Sequence, residues 1–150
     1  MNTEPDTLPP AVFRKKWRIS ARLEKLSGLL EGVQNFLTAS GWSEAATHPV
    51  LLAVEELATN TVKYGYPASA PGHLEVSLAV TAAETALVLR DDGLAFDPTA
   101  APPPDLQQAV EDRPIGGMGL HLVRKQSTRF EYRRLATGRN EVRLLYRRTP

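Results

Sequence analysis

The sequence contains no cysteine. That absence removes disulfides, thiolate metal sites and cysteine nucleophiles together. Long apolar runs are missing as well: the longest fall far short of the roughly 20 residues a helix needs to cross a bilayer. The opening Met1-Asn-Thr-Glu-Pro-Asp-Thr-Leu-Pro-Pro10 has no basic region followed by an apolar core, so it does not read as a secretory signal. Charge of either sign is not in excess, with 18 basic against 17 acidic residues and a net charge of +1. The basic residues are dispersed, so neither direct nucleic-acid binding nor a membrane surface is expected. His48, His73 and His121 are too scattered to suggest a metal cluster, and no serine stands in a local nucleophile signature. What remains is an ordinary composition, 42% hydrophobic and 23% charged over 150 residues, which predicts one cytoplasmic domain with a single core.

Residues 1–11 carry prolines and acidic residues and read as a disordered lead-in to a domain spanning 12–150. From Val12 to Ile19 the chain alternates, with Phe13, Trp17 and Ile19 directed to a core and Arg14, Lys16 and Arg18 to water; Lys15 interrupts the inner side, as on an edge strand. Ser20 is a candidate N-cap for a first helix whose buried stripe is Leu23, Leu26, Leu29, Leu30, Val33, Phe36 and Leu37, ending near Ser40 with Gly41. Trp42 to Pro49 is a connector, and Pro49 suits the first turn of a second helix. Two strand-like runs follow, His73–Thr81 and Thr85–Asp91, the second apolar almost throughout and so placed near the sheet centre. Gly93 to Pro114 is a proline-rich lid. A helical run from Gly116 to Gln126 leads to a hairpin, Thr128–Leu135 and Asn140–Arg147, turning near Gly138. Trp17 and Trp42 read as packing residues. The order predicts an α+β two-layer sandwich, with helices on one face of a mostly antiparallel mixed sheet.

Three constellations carry chemistry. In Leu51–Gly65, Val50, Val54, Leu57, Ala58, Thr61 and Val62 form an apolar arc at helical spacing, while Glu56, Asn60 and Lys63 fall at i, i+4 and i+7 on the opposite face. Leu52 and Ala53 flank that polar stripe, so it lines something other than bulk water. Glu55 is one residue out of register, about 100° around the helix. Asp91-Asp-Gly93 places a carboxylate at the end of a buried strand, where it can accept from an exocyclic amine while Gly93 lets a flat ligand approach the backbone. Gly116-Gly-Met-Gly-Leu120 opens a helix, where backbone N–H groups attract anions. Its spacing is neither a P-loop nor a Rossmann fingerprint.

Glu56-Leu-Ala-Thr-Asn60, Tyr64-Gly-Tyr66, Asp91-Asp-Gly93, Phe96-Asp-Pro98 and Arg113-Pro-Ile-Gly-Gly-Met-Gly-Leu120 occur in one order, and in this the chain resembles the ATP-binding domain of the GHKL superfamily, the Bergerat fold. Within it the chain is similar to the small anti-sigma-factor serine/threonine kinases of bacteria. The resemblance implies that Asn60 holds Mg²⁺ on the nucleotide phosphates and that Glu56 is the general base. It implies that Asp91 accepts from the adenine amine, that Gly93 seats the base, and that Gly117 and Gly119 present N–H groups to the phosphates. Lys63, Ala95, Gly116, Met118 and Leu120 complete the nucleotide-binding set. Ala95 replaces the second glycine of the frequent Asp-x-Gly-x-Gly pattern, and Tyr64 stands where relatives often carry His.

The function so implied is a Mg-ATP-dependent protein serine/threonine kinase that phosphorylates an anti-anti-sigma (STAS-type) antagonist and sequesters a sigma factor, switching between these partners to regulate transcription. Neither a helix bearing a phosphoacceptor histidine before the pattern nor a transducer domain after it is apparent, which points away from sensor histidine kinases and from gyrase- or chaperone-type ATPases. The alternatives are a nucleotide-binding partner-switching module without phosphoryl transfer, and simple ATP hydrolysis driving a clamp. A homodimer is a further expectation, with the basic strand Val12–Ile19 at the sheet edge. The lid from Phe96 to Ile115 is expected to become ordered on nucleotide binding, with Arg113 near its end as a partner contact.

Overall fold

The computed structural model describes residues 13–67, 72–100, 107 and 117–148. The lead-in, Gly116, Arg113 and most of the expected lid lie outside these residues. Five strands and three helices follow the expected order: β1 (Phe13–Ser20), α1 (Leu26–Ala39), α2 (Glu44–Tyr64), β2 (His73–Val80), β3 (Glu84–Asp91), α3 (Gly117–Gln126), β4 (Arg129–Arg134) and β5 (Asn140–Arg147). The sheet order is β1-β2-β3-β5-β4, so β3 is central and β1 lies at one edge. Every strand pair described is antiparallel, which replaces the mixed sheet expected from the sequence. The reason is connectivity: β2–β3 and β4–β5 are hairpins, and β1 and β5 join the sheet as antiparallel neighbours.

Alternation along the strands decides which face meets the helices. Leu74, Val76, Leu78 and Val80 of β2, Leu87 and Leu89 of β3, and Val142, Leu144 and Tyr146 of β5 share one core with Leu29, Val33 and Leu37 of α1 and with Val50, Val54, Leu57 and Ala58 of α2. From α3, Leu120 and Val123 complete it. β1 docks on α1 through Trp17, whose ring meets Phe36 edge-on at 5.7 Å, and a Cβ on Gly32 would lie 2.8 Å from the indole nitrogen. Phe13, expected inside, is 43% exposed at the start of this edge strand.

The other face carries a row of alternating charge across all five strands. Arg18 pairs with Glu75, Glu75 with Arg90, Arg90 with Glu141, and Glu141 with Arg133. Glu141 is fully buried and accepts from the Nε groups of Arg133 at 2.6 Å, Arg143 at 2.7 Å and Arg90 at 2.8 Å. Burial opposes its ionisation, yet donation by Arg143, Arg133 and Arg90 outweighs this and holds the carboxyl at about 2. Opposite charges in facing positions fix the register of each pair, because a slip by one residue would turn Glu141 onto the apolar face.

Two helix starts differ from expectation. Ser20 ends β1 and caps nothing; a short 3-10 turn, Leu23–Lys25, precedes α1, so Leu23 lies 51% exposed before the helical stripe begins at Leu26. α2 starts at Glu44, because Ser43 Oγ accepts from Ala46 N at 3.1 Å as an N-cap. Pro49 therefore sits inside α2 rather than in its first turn, and the capped Ser43-Glu-Ala-Ala46 start outweighs the hydrogen bond that proline lacks. Ala53 is fully buried and belongs to the core arc, not to the border of the polar stripe. Gly41 closes α1 with φ +88°, a conformation that favours glycine, and Trp42 N returns to Leu37 O at 3.1 Å.

Candidate functional site

α2 presents its polar side to two different neighbours. Asn60 is buried and lines a cavity of about 160 Å³ together with Asp91 and Asn140, between apolar walls that include Leu57, Leu89, Phe96 and Val142. Its Nδ2 has no hydrogen-bond partner among the described residues. A buried amide left unsatisfied is costly unless a ligand completes it, so Asn60 is set up to contact what enters the cavity. Glu56, one turn earlier, does not line the cavity. Its carboxylate lies against Gly119 in the first turn of α3, where a Cβ would collide with Cδ and both carboxylate oxygens. Desolvation, then the neighbouring Glu55, raises the Glu56 pKa, with Lys63 partly opposing. Glu55 and Lys63 are exposed.

At the far end of β3, Asp91 is the polar terminus of the apolar face. Its Oδ1 accepts from Gly93 N at 2.9 Å and from Asn140 Nδ2 at 2.9 Å. Burial raises its pKa above the ordinary aspartate value despite those two donors, and Asp92 adds to the rise. Both hydrogen bonds fall on one oxygen, so Oδ2 is available to accept from a ligand amine within apolar walls suited to a flat heterocycle.

Asn140, the first residue of β5, was not singled out by any motif, yet it organises this end of the cavity. Its Nδ2 also donates to Leu94 O at 2.8 Å, while its Oδ1 accepts from Tyr132 Oη at 2.6 Å and Arg134 Nη1 at 3.0 Å. Arg134 Nη1 donates as well to Gly93 O at 2.9 Å, tying the turn after β3 to β4. Only an asparagine at the start of the final strand hints at this in the sequence, because the partners become neighbours through the β3–β5 pairing.

Gly93 also serves the packing of the fold. A Cβ there would sit 2.7 Å from Gly65 O, the same carbonyl that accepts from Leu94 N at 2.8 Å. The glycine lets the end of α2 press on the turn, which places Asn60 and Asp91 on one cavity. Asp92 points elsewhere and anchors the chain before β2, accepting from Tyr66 Oη at 2.6 Å and His73 N at 3.0 Å.

The remaining predicted residues divide. Ala95 and Tyr64 line the cavity. Gly117 begins α3, and Met118 is 38% exposed. Leu120, expected among the nucleotide contacts, is 2% exposed within the core, so its side chain anchors α3. α3 is tied to the short 3-10 turn Pro98–Ala100 by Arg124, which donates to Thr99 O. Among the described residues no three His, Cys, Asp or Glu side chains form a metal-binding group, and no helix is long and apolar enough to cross a membrane.

These elements match known proteins. The serine/threonine-protein kinase BtrW of Bordetella bronchiseptica is 31% identical over 93 residues, covering 62% of this chain and 66% of that protein. The crystal structure of the RsbU and RsbW domains of Rv1364c from Mycobacterium tuberculosis aligns with a TM-score of 0.58 over 90% of this chain and 33% of that one. At 13% identity the second likeness is one of fold. This chain thus spans just under two thirds of the kinase and one third of the solved chain. The model of the histidine kinase-like ATPase domain matches residues 19–146, from the end of β1 into β5. The chain belongs to the histidine kinase-like ATPase domain family.

Proposed function

We propose that the chain is a Mg-ATP-dependent protein serine/threonine kinase of the anti-sigma-factor type, which phosphorylates a STAS-type anti-anti-sigma antagonist and sequesters a sigma factor. The observation that carries this reading is the unsatisfied Asn60 amide on the cavity that also holds Asp91, with Glu56 one helical turn away. Likeness to a serine/threonine-protein kinase supports the transfer step. In this reading Asp91 accepts from the adenine amine, held in orientation by Asn140. The Asn60 carbonyl oxygen is a suitable ligand for a hard divalent cation, since Mg²⁺ needs only one or two protein oxygens beside phosphate and water; the unpartnered Nδ2 is a donor and would serve a phosphate oxygen, not the ion. When bound, that ion neutralises phosphate charge. Glu56 takes the proton of the attacking hydroxyl, a task its raised pKa suits. The first-turn N–H groups of α3 bind phosphate oxygens.

Purified chain, γ-labelled ATP and STAS-domain proteins from the source genome test this directly. Label on a serine or threonine of one such protein, lost in Glu56→Ala, is the expected result. Binding of ATP with no label transferred would instead identify a nucleotide-dependent partner-switching module, and phosphate release without a protein acceptor would identify a hydrolytic clamp.

A further inference from the structure

We infer that Gly119 is a positioning residue for Glu56: the missing side chain at the third position of α3 lets the Glu56 carboxylate lie against that helix. The inference rests on the reading of Glu56 as the base. The contact is close on all three atoms of the carboxylate. A Cβ on Gly119 would overlap Cδ, Oε1 and Oε2 of Glu56, whereas a Cβ on Gly28 of α1 would meet nothing within 4 Å. α3 cannot easily withdraw, because Leu120 and Val123 are buried in the shared core at 2% and 0% exposure. The flexible end of Glu56 must therefore give way to any added side chain.

Two roles meet at Gly119, and one methyl group separates them. Alanine keeps the backbone N–H that a phosphate oxygen uses, and it is the better helix former, so Gly119→Ala leaves α3 and its anion contacts intact. What changes is the carboxylate, which swings away from α3 into water. Around Glu56, Glu55 and Lys63 act from its own helix. From α3, residues 117–119 bring no ionisable group, and His121 stands in the same turn's continuation. Displacement therefore relieves the burial that raises the Glu56 pKa.

The test compares wild type, Gly119→Ala, Glu56→Asp and the double variant. Three readings are taken: single-turnover transfer of labelled phosphate to a STAS-domain protein, calorimetric ATP affinity, and the pH titration of the side-chain carboxyl at position 56 by carbon NMR. Gly119→Ala is expected to slow transfer about 100-fold with ATP affinity changed by no more than about threefold. Its Glu56 carboxyl is expected to titrate nearer an ordinary glutamate. In the Glu56→Asp background the alanine is expected to cost little further, because the shorter side chain no longer reaches position 119. Wild-type rate and titration in Gly119→Ala, or full independence of the two substitutions, would overturn the inference. If no protein transfers phosphate, the kinase reading fails, and the titration still decides the contact: an unshifted Glu56 in Gly119→Ala overturns it.

Discussion

Asp91 and Asn140 face one another across the central strand pair, with Asn140 Nδ2 donating to Asp91 Oδ1 at 2.9 Å. One amide thereby holds the carboxylate, the Leu94 carbonyl, the Tyr132 hydroxyl and the Arg134 guanidinium in a single cluster. Asn140→Ala takes one of two donors from the buried Asp91 Oδ1 and removes the acceptor of the half-buried Tyr132 hydroxyl. It is expected to destabilise the fold by about 3 kcal/mol and to weaken ATP binding by at least tenfold. It also raises the Asp91 pKa further, because the lost donor is the larger of the two that hold it down. Urea unfolding and calorimetry measure both effects; unchanged stability would show that Asn140 organises nothing.

Glu141 gives a prediction with a defined pH window. Its folded-state pKa is lowered to about 2 from 4.5, so its stabilising contribution is present above 4.5 and is lost as pH falls through about 2. Glu141→Gln leaves three arginines around a neutral side chain and is expected to cost about 3 kcal/mol at pH 7. The gap between wild type and variant closes on acidification from about pH 4.5 to about pH 2. A gap constant across that window in denaturation experiments would rule out the charge as its source.

Gly93→Ala tests the contact between the end of α2 and the turn after β3. The added Cβ would meet Gly65 O at 2.7 Å, and that acceptor is backbone, which cannot rotate away. A loss of about 1–3 kcal/mol is expected, with the cavity distorted and ATP affinity reduced. Full affinity and an unchanged melting temperature would show that Gly93 is not needed for this approach.

Much of the architecture was legible because periodicity survives in the strands and helices that form it. The alternation Leu74, Val76, Leu78, Val80 marked β2, and the apolar run of β3 marked the sheet centre. Boundaries were less legible where a local signal lost to a neighbour: Ser43 capped α2 six residues before Pro49, and Ser20 stayed in the sheet. The site divides in the same way. Glu56 and Asn60 share a helix and Asp91 ends a strand, so their types and spacing could be read. Asn140 meets Asp91 only through a strand pairing 49 residues away in sequence, and the packing of Glu56 on Gly119 joins two separate helices, so neither left a local pattern.

In the proposed role of base, the raised pKa of Glu56 would set the acid side of the transfer. A general base must be ionised, so the transfer rate should rise with pH through a limb lying above the usual 4.5 of a glutamate. Glu56→Gln should abolish that limb together with most of the rate. A limb at or below the ordinary value in a pH–rate profile would remove Glu56 from the role of base.

The central claim is that the cavity lined by Asn60 and Asp91 is the ATP site. A calorimetric titration of Mg-ATP into wild type and Asn60→Ala tests it most directly. Binding to wild type, and its loss in the variant at an unchanged melting temperature, is the predicted result. Equal affinity in the two proteins would contradict it.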